Sequence, residues 1–237
     1  VNATKLSGRT NKGLGIGVLN AMSLKATAVI KNDITGNERK VIVQPFTNYN
    51  VTVIDQAMKN NSYFSLINTH MSMAGHPFSA NVTATQFEFR DNSLTYALQG
   101  KGAMSNRGNE HREKGYYAEL GISKTQGTYF WGIEQLVISD RYNPNDLGYL
   151  QRNNRLSSEV WGFYQQITPG STFREWNIGL WSNYNRLYNP AVFTDLESGI
   201  DFSSRLSNYM SLSASSKFTT RQLDYYEPRV EGRYYNR

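Results

Sequence analysis

The 237 residues include no cysteine, which excludes a disulfide framework, thiolate catalysis and a cysteine-held metal. The hydrophobic share of 39% is low beside the ~45–50% of soluble domains, although 16 Tyr, 11 Phe and 4 Trp supply amphipathic rings. The formal charge of +6 comes from scattered Lys and Arg with no basic run or basic helix, which argues against nucleic-acid binding.

Apolar residues recur at every second position, the period of strands with two unlike faces. In chain order the expected strands are 2–10, 13–30, 38–58, 63–73, 78–90, 93–104, 115–124, 127–139, 156–168, 172–188, 198–206 and 208–220. Leu14, Ile16 and Val18 open the pattern, and Trp176, Ile178 and Leu180 repeat it near the end. Many of these strands match the ~9–11 residues that a tilted strand needs to cross a bilayer. No stretch reaches the ~20 apolar residues of a transmembrane helix.

Tight turns are expected at Asn11-Lys12, Asn60-Asn61, Asp91-Asn92, Thr125-Gln126, Pro169-Gly170 and Ser207-Asn208, whose Asn, Asp, Gly and Pro suit hairpins. Longer links are expected at 31–37, 74–77, 105–114, 140–155 and 189–197. Short and long connections thus alternate, as in outer-membrane barrels with short periplasmic turns and long extracellular loops. The expected fold is all-β: an antiparallel up-and-down, outer-membrane-type β-barrel or a large portion of one. Residues 1–237 read as a single domain and a piece of a longer chain, since Val1 is not a natural start and Tyr234-Tyr235 looks like the opening of another strand.

The most distinctive loop is Arg141-Tyr142-Asn143-Pro144-Asn145-Asp146-Leu147-Gly148-Tyr149-Leu150, with Asn143, Pro144, Asn145, Asp146, Gly148 and Tyr149 as its candidate functional residues. Its composition is dense turn chemistry, and its functional readings are an oxygen-ligand cluster or a loop gating a lumen. Calcium wants several carboxylates, and only Asp140 and Asp146 are close by. His70, His76 and His111 lack zinc spacing. Four Asn-x-Ser/Thr sites, at Asn2, Asn50, Asn60 and Asn81, read as chance in an Asn-rich chain. Among the acids, Glu119 and Glu134 are expected on facing strands and on one face. A hydrolase pair is the sharper reading and a lumen charge the plainer one. The residues imply no cofactor and no metal.

Tyr116, Tyr129, Trp131, Trp161, Trp176 and Trp181 lie near strand ends. They suit a membrane-interface girdle, where rings sit with one end wet. The rival is a sugar platform on a soluble β protein, tested at Trp176 or Trp181.

Several short stretches carry a family resemblance: Leu6-Ser7-Gly8-Arg9-Thr10, Gly15-Ile16-Gly17-Val18-Leu19-Asn20-Ala21, Thr47-Asn48-Tyr49-Asn50-Val51, Asn145-Asp146-Leu147-Gly148-Tyr149-Leu150 and Tyr226-Glu227-Pro228-Arg229. They resemble the C-terminal region of large Bacteroidota envelope proteins, a domain of unknown function that follows a family-nine-like carbohydrate-binding module. The resemblance implies an outer-membrane barrel of uncharacterised role, and the expected function is that of a pore, a scaffold or a subunit of an envelope complex. It implies outer-membrane lipid, other envelope proteins and glycans as partners, and it carries no catalytic residues. The alternatives are a soluble carbohydrate-binding module and, behind it, a glycoside hydrolase.

Overall fold

Two-faced strands joined by Asn-, Asp- and Gly-bearing turns build a meander, because each turn returns the chain alongside the strand it has just left. The computed structural model describes residues 2–32, 34–220, 223–224 and 235–236, and among these there is no helix. The strands are β1 (Asn2–Arg9), β2 (Leu14–Ser23), β3 (Ala26–Lys31), β4 (Glu38–Gln44), β5 (Thr47–Ala57), β6 (Tyr63–Met73), β7 (Ser79–Arg90) and β8 (Tyr96–Gly108). They continue as β9 (Arg112–Lys124), β10 (Tyr129–Ile138), β11 (Arg155–Gln166), β12 (Phe173–Arg186), β13 (Phe193–Leu206) and β14 (Ser211–Thr219). A short ladder pairs β15 (Leu223–Asp224) with β16 (Tyr235–Asn236). Tyr226-Glu227-Pro228-Arg229 and Tyr234 lie outside the described residues.

One 12-stranded antiparallel sheet has the order β1-β2-β5-β6-β7-β8-β9-β10-β11-β12-β13-β14. The fold is therefore all-β and up-and-down. The sheet is open: β1 and β14 are its edges and do not pair with each other.

Two expected strands each divide. The span 13–30 breaks at Leu24–Lys25 and 38–58 at Pro45–Phe46. Pro45 has no N–H to give to a ladder, so the chain leaves one sheet and enters another there. β3 and β4 form their own ribbon, and 31–37 contains its turn rather than a link between sheet strands. The Asn32 side chain caps that turn, accepting from the amides of Ile34 at 2.9 Å and Thr35 at 3.0 Å.

The six expected tight turns all fall at one end of the sheet, within 10–13, 58–62, 91–95, 125–128, 167–172 and 207–210. Asn60 and Asn61 both adopt left-handed backbone, at φ 59° and 55°, as a type I′ hairpin requires. The opposite end holds 24–46 and 139–154 together with shorter links. The expected loop 105–114 is instead the paired tips of β8 and β9, with Asn106 opposite Lys114 and Arg107 opposite Glu113. Its polar residues look like loop, but β7 also pairs along the same β8 segment and extends the ladder. The expected link 189–197 shrinks to 187–192, because β13 starts at Phe193 with a register shift opposite Arg186.

Candidate functional site

Because side chains alternate along every strand, cross-strand register sorts the sheet into two faces. Ile16, Ile54 and Leu66 lie opposite one another in one row, and Leu120 and Ile122 share their face. Farther along, Ile133 is opposite Val160, and Leu180 is opposite Ile200. All the exposed large hydrophobic side chains of the sheet strands fall on this face, among them Leu180 at 60% and Ile133 at 55% exposure. The Asp and Glu residues of the same strands all fall on the other face, as Asp55, Glu119, Glu134, Glu159, Glu197 and Asp201 illustrate. The side chains buried there are mostly small: Ser65, Ser105, Ser123, Ser157, Ala80 and Ala97. This inverts a water-soluble sheet, which buries its large apolar face.

Rings border the apolar face at both ends. At the short-turn end Tyr96 meets Trp131 at 6.4 Å between centroids, Tyr129 meets Tyr164 at 5.0 Å, and Tyr164 meets Trp176 at 5.1 Å. At the other end Tyr116 stands edge-on to Tyr188 at 5.6 Å, and Tyr184 meets Phe193 at 5.6 Å. Between Trp176 and Tyr184 the strand advances about 26 Å, or about 20 Å of height after a ~40° tilt, beside a ~25 Å outer-membrane band. The apolar band also crosses the hydrogen-bonded rows obliquely. The row through Ile16 and Ile54 reaches Arg186 on β12, beyond Tyr184. A flat apolar slab cut by tilted strands produces that drift.

The polar face is a hydrogen-bonded network. Arg9 pairs with Asp55, whose other oxygen accepts from the Ser65 hydroxyl at 2.9 Å. Lys101 lies 2.6 Å from Glu119, which also accepts from the Tyr117 hydroxyl. Glu134 lies opposite Glu159 and accepts from Gln99 at 3.4 Å. Arg155 donates to Asn185 at 3.0 Å, and Asn185 donates to Asp195 at 2.8 Å. Glu119 and Glu134 do share this face, within a wider run of charges.

Loop 139–154 folds onto the polar face. Tyr142 is buried, its ring is 6.0 Å from Tyr117, and its backbone sits over Gly115, where a Cβ would be 2.2 Å from the Tyr142 nitrogen. Burial pushes the Tyr142 hydroxyl pKa up. The Asn143 amide donates to the Ser105 hydroxyl at 3.1 Å, and Arg107 donates to Asp146 at 2.9 Å. Asn145 closes the loop on itself, accepting from the Leu150 amide at 2.5 Å. The Leu147 amide donates to the Pro144 carbonyl at 3.1 Å, the Gly148 site packs over Pro144, and Tyr149 is exposed. Asp140 accepts from Asn189 at 3.3 Å, while Asp146 is engaged by Arg107. No cluster of three or more His, Asp or Glu suited to a metal occurs among the described residues.

Of the aromatics singled out in sequence, Tyr116, Tyr129, Trp131 and Trp176 stand on the apolar face. Trp161 and Trp181 stand opposite each other on the polar face, their rings covering Gly132 and Gly199. Trp176 and Trp181 therefore cannot share one sugar platform, because five positions along a strand is an odd step. Sequence reading missed Arg107, Ser105 and Gly115, which seat the loop. Their partners are 39, 38 and 27 positions away along the chain, and no local signal marks them.

A model for one protein family, described only as a domain of unknown function, DUF5916, matches residues 1–237. The chain belongs to DUF5916. Neither the curated proteins nor the solved structures provide a match. For this DUF5916 chain, the two faces and the loop are therefore the available guide to function.

Proposed function

We propose that this DUF5916 chain forms wall strands of an outer-membrane β-barrel, with the apolar face against lipid and the polar face lining the interior. The observation that carries the reading is the inverted 12-stranded sheet: its exposed large hydrophobics on one face, and the carboxylates of its strands on the other. A lipid slab rewards the first and a wet lumen the second. The aromatic borders and the oblique band support it independently. On this reading the cell is a Bacteroidota bacterium, and the barrel serves as a pore, scaffold or envelope subunit, with loop 139–154 narrowing the interior.

Isolated envelopes provide the test. The full chain should appear only in the detergent extract and should shift its gel mobility on heating. Recovery in the aqueous fraction without a heat shift would refute the barrel.

A second reading concerns what the interior handles. Trp161, Trp181, Phe130 and Phe163 form a strip of rings on the polar face, with Phe130 and Phe163 stacked at 4.4 Å. The Trp181 indole N–H donates to Asp201 at 3.1 Å. Rings beside carboxylates and amides suit glycans, whose C–H faces stack while their hydroxyls hydrogen-bond. Quenching of tryptophan emission by soluble oligosaccharides, lost in Trp181→Ala, is expected.

A further inference from the structure

The charges that the register places on the apolar face are all cationic. They are Arg112 and Lys114 on β9 and Arg186 on β12 at the long-loop end, and Lys124 at the short-turn end. Just beyond the apolar band at the long-loop end, one unbroken cross-strand row reads Asn20, Asn50, His70, Asn81, Asn106, Lys114. It crosses six strands, or about 24 Å at the usual strand spacing.

The amides of this shelf are held in place. Asn20 donates to Asn48 at 2.7 Å and to Asn50 at 2.8 Å, and Asn81 donates to Asn68 at 3.2 Å. Arg112 is fixed by Asn106 at 2.8 Å and Ser79 at 2.9 Å, both neutral. Neither Arg112 nor Lys114 forms an ion pair with a carboxylate among the described residues.

We propose that this shelf docks the phosphorylated headgroup of an anionic glycolipid in the leaflet at the long-loop end. The inference rests on the reading of the apolar face as lipid-facing. Charge complementarity selects the occupant: cations answer phosphate, and the Asn and His side chains answer sugar hydroxyls. Continuity selects a lipid over a soluble partner, because the shelf begins where the acyl-facing side chains stop.

The test uses the full chain folded into phosphatidylcholine vesicles with and without lipid A, with retained lipid A measured after detergent extraction. The wild type should retain lipid A selectively. In Arg112→Ala/Lys114→Ala retention should fall about 30-fold, the loss of two cations near a membrane surface. Asn81→Asp, which sets an anion in the shelf, should lower it too, while Lys217→Ala on the polar face should leave it unchanged. Equal retention by the double variant or by Asn81→Asp overturns the inference. So does displacement of the retained lipid A by inorganic phosphate at equal concentration, which would indicate a free-anion site. Failure to enter pure phosphatidylcholine vesicles overturns the barrel and this inference together, whereas entry without lipid A selectivity overturns this inference alone.

Discussion

Arg107 on β8 and Asp146 in loop 139–154 are 39 positions apart in the chain and 2.9 Å apart in space. This pair, with the Asn143–Ser105 bond, holds the loop against the polar face. Both side chains are mostly shielded, so a charge-assisted bond of about 1.5–3 kcal/mol is at stake. Asp146→Ala should free the loop, raise trypsin cleavage at Arg141 and Arg152, and raise conductance in planar bilayers. Exchanging the two residues, Arg107→Asp with Asp146→Arg, should restore the wild-type conductance and the protection of Arg141 and Arg152. An unchanged cleavage pattern in Asp146→Ala would show that the pair does not hold the loop.

The two faces can be read chemically, because the chain has no cysteine to interfere. Leu180 and Asn183 are three positions apart on β12, an odd step, and so point to opposite faces. In membrane-inserted protein, Leu180→Cys should react with a lipid-soluble maleimide and resist a charged one. Asn183→Cys should show the reverse order if the polar interior is wet. Equal reactivity of the two positions with the charged reagent would refute a lipid-covered apolar face.

The strands and the turns were legible in the sequence because both are local. A period of two marks each strand, and Asn60-Asn61 or Asp91-Asn92 marks the reversal. What sequence could not provide was the sorting across strands. Trp161 and Trp181 resemble Trp131 and Trp176 in composition and position, yet they occupy the other face, which only register decides. The strand tips at 105–114 looked like a loop because Asn106, Arg107 and Gly108 are polar or flexible. Pairing on both sides overrides that local preference. The seat of loop 139–154 was hidden for the same reason, since Ser105 and Gly115 become a surface only when β8 and β9 lie side by side.

Acid should act on the turn at 91–95. The Asp91 carboxyl pKa is held below the ordinary aspartate value by the Ser93 hydroxyl first and then by the Tyr96 amide, which donates at 2.9 Å. A lowered folded-state value contributes stability that is complete above the unfolded value. It is lost as pH falls through the folded one, so the contribution fades only below about pH 4. Asp91→Asn should therefore lower the midpoint of heat modifiability at neutral pH, where the contribution is complete, and flatten its acid limb. An acid limb as steep as that of the wild type would assign the loss to other carboxylates.

Gly115 and Gly17 separate loop seating from strand propensity. Both lie in strands on the polar face. A Cβ at Gly17 meets nothing nearer than Val53 at 3.9 Å, whereas one at Gly115 overlaps the backbone of Tyr142. Backbone cannot rotate aside as a side chain does, so Gly115→Ala must lift the loop or distort β9, at about 1–3 kcal/mol for overpacking. Gly17→Ala should be neutral or slightly stabilising, because it removes freedom only from the unfolded chain. Gly115→Ala should also reproduce the increased trypsin cleavage of Asp146→Ala, because both lift the same loop. If Gly115→Ala lowers the unfolding midpoint without exposing Arg141 and Arg152, the strain is taken up in β9 and the loop stays seated.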